Sequence, residues 1–402
     1  MSKILILIGA HLCTAPRPQK EADILAAAGH QVVVRGVWFD PMLVERDRQL
    51  LAHKPWRFEP VLDFRPDHPL TNGWVRLEAK LARKQFQQSG KFSPELLGYG
   101  ARAMLKAALQ EQADLTIVHS EAGLWVGEQL LQQGRRVGVD FEDWFSQDLL
   151  PSALTHRPVE QIKRLEATLI RQCAYCLTTS QAMAETLATV YQAAQPTVIY
   201  NLFPPVKLDY SQIPVSRLPR LHWFSQTIGP GRGLETLFQA LPLLVPVEIH
   251  LRGAYPDSAR AWLEPQIPEP WRDRLVIHPT VANDQLPACI AEHDIGLALE
   301  QADPPSRNLT ITNKLFQYLQ AGLAVIATDT SGQREVLQQR PQVGRLIPAQ
   351  NPVALAGAIN DLIQPIALQT AKASAQSALT DQFGWQNQVD RLLQAAEQAL
   401  KN

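Results

Sequence analysis

Trp223-Phe224-Ser225-Gln226-Thr227-Ile228-Gly229-Pro230-Gly231-Arg232-Gly233-Leu234-Glu235 reads as a β-strand that enters a glycine-rich loop and opens a helix near Leu234. Gly229, Gly231 and Gly233 let a backbone approach a ligand closely, and the helix N-terminus offers unpaired N–H groups. Arg232 adds a bidentate cation, so the segment reads as a phosphate cradle. No Gly-Lys-Ser/Thr follows, which excludes a P-loop. A strand, a turn at its carboxyl end and a helix form the repeating unit of a doubly wound α/β sheet, where ligands sit at the carboxyl ends of strands.

The same alternation extends in both directions. Upstream, short apolar runs at 4–8, 31–35, 115–119, 136–140, 176–179 and 197–200 are candidate strands. Helical stretches such as 19–28, closed by Gly29, and 159–173 separate them. Downstream the runs are 221–225, 247–252, 274–278, 295–299, 324–328 and 344–347, followed by helices at 352–363 and 385–400. Most runs are apolar on both faces, as parallel strands covered by helices require. Two successive series of this kind predict two doubly wound domains. The expected boundaries are 1–203, a linker at 204–219 holding Pro204, Pro205, Pro214 and Pro219, then 220–378, and a last helical segment at 379–402.

A second segment, Thr310-Ile311-Thr312-Asn313-Lys314-Leu315-Phe316-Gln317 and onward to Gly322, reads as a helix capped by Thr312 or Asn313 that feeds the strand at 324–328. Lys314 and Gln317 are three apart and share a helix face. In a binding site Lys314 would meet a phosphate and Gln317 a ribose hydroxyl; on an ordinary helix both would face water. Asp329-Thr330-Ser331-Gly332-Gln333-Arg334-Glu335 is another small-residue turn opening a helix, hence a second anion site. Two such turns in one domain suit a diphosphate.

Composition limits the alternatives. The 402 residues carry 38 Lys plus Arg against 39 Asp plus Glu, so no charge excess points to nucleic acid. Four cysteines are too few for a disulfide scaffold, and Cys173-Ala-Tyr-Cys176 lacks the companion ligands of a metal or redox motif. The apolar run at 4–8 has one preceding Lys and is followed by Pro16-Arg17-Pro18 rather than a cleavage site, so it reads as a buried strand in a reducing cytoplasm. Residues 74–110 form a helical insert with Arg76, Lys80, Arg83, Lys84, Lys91, Arg102 and Lys106 against Glu78 and Glu95. The preferred reading is a solvated helical face whose apolar residues, Trp74, Leu77, Leu81 and Phe86, pack on the sheet. The second reading is contact with an acidic acceptor or with an anionic membrane on its inner face.

The glycine loop, the NKLFxYLxAGxxVIATDTxGxxE segment and the KExxxLAAAGHxVxV start together resemble the retaining GT-B glycosyltransferases, in particular the large family four group also described as glycosyl transferases group 1. The resemblance covers essentially the whole chain. It implies two Rossmann-like domains facing across a cleft, the first on the acceptor side and the second holding the donor. The implied reaction moves a sugar from a nucleotide sugar to a glycan, lipid-linked or other hydroxyl acceptor, with retention, as in polysaccharide biosynthesis. It requires no cofactor and no metal, and no acidic metal motif stands out. Arg232 and Lys314 would stabilise the departing diphosphate. Glu142 or Asp143, in the Val139-Asp140-Phe141-Glu142-Asp143-Trp144 turn, would orient the acceptor hydroxyl or take its proton, although Asp143 reads equally as a helix cap. His11, after the first strand, falls where the fold brings the first domain near the diphosphate. Gly253, after its strand, falls near the nucleotide, and the loop from His278 to Pro287 resembles the one that meets the base.

The donor motif departs from the family pattern. The paired glutamates expected at 309 and 317 are Leu309 and Gln317. Gln226 and Thr227 stand where a Gly-Arg pair is usual, and Arg232 stands for a Lys. Glu300, at a strand end, is the nearest acidic replacement. Two alternatives to the transferase follow: a GT-B protein that binds a sugar nucleotide without turnover, and a nucleotide-sugar 2-epimerase.

Overall fold

The computed structural model describes residues 1–150, 154, 157–208, 217–380 and 383–401; Pro214 of the proline-rich stretch lies outside them. The chain divides into two compact units, Met1–Thr179 with Met183–Ile199 and Val389–Asn402, and Ser180–Ala182 with Tyr200–Gln388. The helix Trp385–Lys401 begins in the second and ends in the first.

The first unit holds β1 (Lys3–Leu7), β2 (Gln31–Trp38), β3 (Arg57–Asp63), β4 (Leu115–Val118), β5 (Val137–Phe141), β6 (Tyr175–Thr178) and β7 (Thr197–Val198), in the order β3-β2-β1-β4-β5-β6-β7. Every pairing is parallel. The second holds β8 (Arg220–Thr227), β9 (Glu248–Ala254), β10 (Leu275–His278), β11 (Ile295–Ala298), β12 (Ala324–Thr328) and β13 (Gly344–Ile347), in the order β10-β9-β8-β11-β12-β13, again all parallel. Each sheet therefore has one place where the strand order reverses, between β1 and β4 and between β8 and β11, and loops diverge there to leave room for a ligand.

Glycines make both crossings tight. A Cβ on Gly9 would lie 2.7 Å from Ser120 Oγ, and one on Gly233 would lie 2.2 Å from the Leu299 carbonyl. Gly233 also has φ +84°, a conformation that side chains resist. In the second sheet, Leu221, Trp223, Ile249, Leu251, Ile295 and Leu297 are fully buried on one face. By the period of two, His222 and His250 project from the other. There Tyr318 lies against Gly296, whose missing Cβ would fall 2.1 Å from the ring.

The structure departs from the sequence expectations at several points. β3 was not anticipated, because Arg57–Asp63 is half-exposed along the sheet edge and contains Pro60, which only an edge strand tolerates. β8 continues to Thr227 through an irregularity in its pairing with β9, so Gln226 and Thr227 belong to strand rather than loop. Gly253 lies inside β9, not after it; a Cβ there would meet the Ser225 carbonyl at 2.8 Å.

The basic insert begins as the helix Pro69–Ser89, whose small residues Val75, Ala79 and Ala82 are buried. Trp74, Leu77 and Leu81 are instead exposed, Trp74 at 62%, which corrects the expectation that they pack on the sheet; Leu70, one turn earlier, is exposed as well. Phe86 is half-buried. The spacing explains the result: 75, 79 and 82 form one face of the helix and 70, 74, 77 and 81 another. Among the described residues no helix is long and apolar enough to cross a membrane. Cys173 and Cys176 are unbonded, and burial pushes both thiols up, away from the reactive thiolate.

Candidate functional site

At the reversal point of the second unit, β11 ends and the chain turns at Glu300. The helix Asn313–Gln320 then brings Lys314 back over this turn, with Lys314 Nζ 2.6 Å from Glu300 Oε1. Thr312, at the N-cap position, sends its side chain to Glu300 instead of to its own helix. Burial raises the Glu300 pKa, but Lys314, then Thr312 and Arg232, outweigh it and hold the carboxyl below its usual range. Lys314 also lies over the Trp223 ring, 6.0 Å from its centre. Lys314 and Gln317 are both buried, 7% exposed, which overturns the reading of a wet helix face. Glu300, Lys314, Thr312 and Arg232 thus form one charged group at the end of β11, with Arg232 on the exposed loop after β8.

The glycine loop has the geometry of an anion cradle, with Gly231 at φ +75° and Gly233 at φ +84°. The Gly231 N–H donates to Glu235 Oε1 at 2.6 Å, so a carboxylate of the following helix occupies one donor of the loop. Gly229 is half-buried beside it. The second turn is more fully committed. Asn308 accepts from the Ser331 N–H at 3.1 Å and Thr330 from the Gln333 N–H at 3.3 Å, while Gly332 abuts the Leu309 and Thr310 carbonyls. Glu335 accepts from the N–H groups of Gln181 and Ala182 and from the Tyr200 hydroxyl, a capping role for a helix N-terminus. Leu309 is buried, and the segment around it, Pro305 to Thr312, holds no carboxylate.

In the first unit, Glu142 is the first residue after β5 and accepts from His119 Nδ1 at 2.7 Å. The other ring nitrogen of His119 faces Glu21 at 2.9 Å, and Tyr175 donates to Glu21 in turn. Burial lowers the imidazole pKa, yet hydrogen bonds to Glu142 and Glu21 prevail and raise it to about 10. His119 is therefore an imidazolium between two carboxylates. Glu142, whose side chain is 30% exposed, is held below its usual range chiefly by that imidazolium, against the cost of burial. Below this chain, Arg17 grips Asp140 through Nε at 2.6 Å and Nη2 at 3.0 Å and reaches the Ile199 carbonyl at 2.6 Å. Asp143 is half-buried beside Glu142, and the short helix that follows begins after Trp144 with no side-chain cap.

His11 does not join this group. It is fully buried; Nδ1 faces Asp47 at 3.2 Å, and Nε2 accepts from the N–H groups of Phe39 and Asp40. Both ring nitrogens are spent on the fold, so its side chain has no hydrogen bond left for a diphosphate. His119 is the residue that sequence reasoning missed. Its signal was its position, immediately after β4 at the reversal point of the first sheet. Ser120, which follows it, has φ +72°, a strained conformation for a residue other than glycine.

With the geometry in place, residues 219–365 match the family model described as glycosyl transferases group 1, a span that includes every residue of the Glu300 group and both glycine turns. No curated protein matches the chain. Among solved structures, sucrose-phosphate synthase from Thermosynechococcus elongatus is similar at 16% identity and a TM-score of 0.71, over 100% of both chains. HepE from Anabaena, solved with UDP-glucose, is similar at 18% identity and 0.71, also over 100% of both. TarM from S. aureus, solved with UDP and alpha-GlcNAc-glycerol, is similar at 8% identity and 0.70 over 100% of both. At these identities the likeness is one of fold. The chain has two parallel-sheet, Rossmann-like α/β units of the GT-B kind, the class that its sequence predicts.

Proposed function

We propose that the protein is a retaining glycosyltransferase that takes a sugar from a nucleotide-sugar donor, with UDP as the first nucleotide to test, and passes it to a sugar or lipid-linked hydroxyl without a metal ion. The observation that carries this reading is the Glu300–Lys314–Thr312–Arg232 group at the reversal point of the sheet, inside the segment that matches the group 1 glycosyltransferase model. Lys314 has three N–H donors and spends one on Glu300, so two remain for a phosphate. Arg232 offers a planar fork for the same diphosphate. Both cations stabilise charge that grows on the leaving nucleotide as the glycosidic bond to the anomeric carbon breaks. Glu142, ionised on the His119 imidazolium, accepts a hydrogen bond from the acceptor hydroxyl and orients it for attack. The exposed stripe Leu70, Trp74, Leu77 and Leu81, flanked by Arg76, Lys80, Arg83 and Lys84, suits rest on an anionic lipid surface that presents a lipid-linked acceptor.

A second reading is a protein that binds the donor without turnover. The buried Leu309 and the neutral Gln317, standing where the family resemblance expects carboxylates, favour it. Calorimetry with UDP, GDP, ADP and CMP, without metal, together with release of nucleoside diphosphate from UDP-sugars, separates the two. Binding of one nucleotide, weakened about 10- to 150-fold in Arg232→Ala, with measurable release supports the transferase. Binding without release supports the second reading. No binding to any nucleotide overturns the donor site.

A further inference from the structure

Three histidines of the second unit turn their ring nitrogens toward one point, one of them His278, at the head of the loop that the family resemblance sets against the base. His250 lies on β9, His278 ends β10 and His293 lies two residues before β11. His250 Nδ1 is 3.0 Å from His278 Nε2 and 3.0 Å from His293 Nε2, and the three nitrogens lie within 4.8 Å of one another. Their outer partners fix which nitrogens carry protons. His293 Nδ1 is 3.1 Å from the Ile290 carbonyl, so the proton sits there and Nε2 presents a lone pair. His250 Nε2 faces the Glu248 carboxylate at 3.4 Å, so His250 Nδ1 presents a lone pair as well. Two lone pairs then meet at 3.0 Å, which no hydrogen bond between neutral rings satisfies.

A proton would resolve the conflict only at the cost of a buried imidazolium. His250 and His293 are 6% and 0% exposed, so the charge would sit out of reach of water. A divalent metal ion resolves it directly. Imidazole ligands at about 2.0–2.1 Å in a tetrahedral site stand about 3.3 Å apart, close to the 3.0 Å that separates His250 Nδ1 from each of the other two nitrogens. The outer contacts to a backbone carbonyl and a carboxylate are the arrangement that orients metal-bound histidines. His222 adds an independent sign of a polar site: it is fully buried, stacks on His293 with ring centres 4.2 Å apart, and neither of its nitrogens has a hydrogen-bond partner.

The other cluster with suitable atoms, Glu21, His119 and Asp140, shows the opposite pattern. Each of its charges is matched by Arg17, Tyr175 or another member, so it is complete without an ion.

We propose that His250 Nδ1, His278 Nε2 and His293 Nε2 bind one divalent transition-metal ion of the zinc class, with the fourth position open to water on the side of the half-exposed His278. The site lies on the sheet face opposite the Leu221–Trp223 core. It ties β9, the end of β10 and the turn before β11 together, and so serves the fold rather than the transfer step.

The test is tag-free full-length protein, stripped with chelator and titrated with Zn²⁺ against a chromogenic competitor, with Co²⁺ substitution read by its visible absorption. One equivalent of Zn²⁺, a tetrahedral Co²⁺ spectrum, and loss of both in His278→Ala and His293→Ala support the site. Glu248→Gln is expected to weaken it about 10-fold, as outer partners of metal-bound histidines do. His278 is half-exposed, so its replacement leaves a folded protein even where His293→Ala does not. Absence of stoichiometric binding, binding that survives His278→Ala, or binding lost instead in His119→Gln overturns the proposal.

Discussion

Replacing Lys314 by methionine tests the core of the proposed donor group, because it removes the ammonium and keeps most of the volume. The pair it breaks is short, 2.6 Å, and largely buried, with side chains 9% and 18% exposed. Removing one member of a buried ion pair costs about 3–5 kcal/mol, chiefly because the other charge is stranded. Thr312 and Arg232 still support Glu300, and its partial exposure allows some hydration, so the lower end, about 3 kcal/mol, applies. In a unit of this size that corresponds to a fall in Tm of about 6–12 °C. Glu300→Gln combined with Lys314→Met removes the stranded charge and is expected to recover about half of the loss, a coupling of the size seen between contacting residues. The assay is thermal and urea unfolding of the four proteins, followed through the transition that bound UDP shifts. If Lys314→Met stays within about 0.5 kcal/mol of wild type, or if the two single losses simply add in the double variant, the pair does not hold the site together and the reasoning fails.

Gly233→Ala places a methyl 2.2 Å from the Leu299 carbonyl at φ +84°, and should lower stability by about 2–4 kcal/mol in thermal unfolding; an unchanged Tm would mean the loop is not pinned against β11. His119, raised to about 10 from 6.5, contributes stability in full below pH 6.5 and loses it as pH rises toward 10. Wild type should therefore weaken across that window in urea unfolding, and His119→Gln should show a flatter profile there; parallel profiles would remove the imidazolium between Glu21 and Glu142. Trp74→Ala should reduce sedimentation with vesicles rich in anionic lipid several-fold, with weaker binding at high salt, while equal sedimentation would leave the exposed stripe without a lipid role.

The fold was legible because its signal is repeated. Most of the strands are short apolar runs, and two series of them forced a pair of doubly wound sheets. β3 escaped because an edge strand needs no apolar face and tolerates Pro60. The charged group at the end of β11 was legible where motif and strand end coincide, at Arg232, Lys314 and Glu300. Chemistry formed between elements was not. His119 acquires its character from Glu21, 98 positions earlier, and from Glu142. His250, His278 and His293 meet only because β9, β10 and the entry to β11 are brought side by side. His11 shows the converse: its place after β1 suggested a ligand contact, but Asp47 and two backbone N–H groups claim it.

The position of Glu300 gives the proposed donor site an internal conflict that turnover can expose. A carboxylate beside the cation that holds a diphosphate opposes nucleotide binding while it fixes where that cation points. At about 6 Å, and with an effective dielectric between protein surface and water, removing the negative charge favours the bound diphosphate by about 0.7–3 kcal/mol, or about 3- to 100-fold in Kd. Glu300→Gln should therefore bind UDP more tightly than wild type and turn over more slowly, because Lys314 loses the partner that orients it and the sugar loses a carboxylate acceptor. Lys314→Met should lose on both counts. Calorimetry with UDP and release of UDP from its sugar conjugate measure the two effects separately. If Glu300→Gln weakens UDP to the same degree as Lys314→Met, Glu300 acts only by holding the lysine in place, and its charge has no separate effect on the donor.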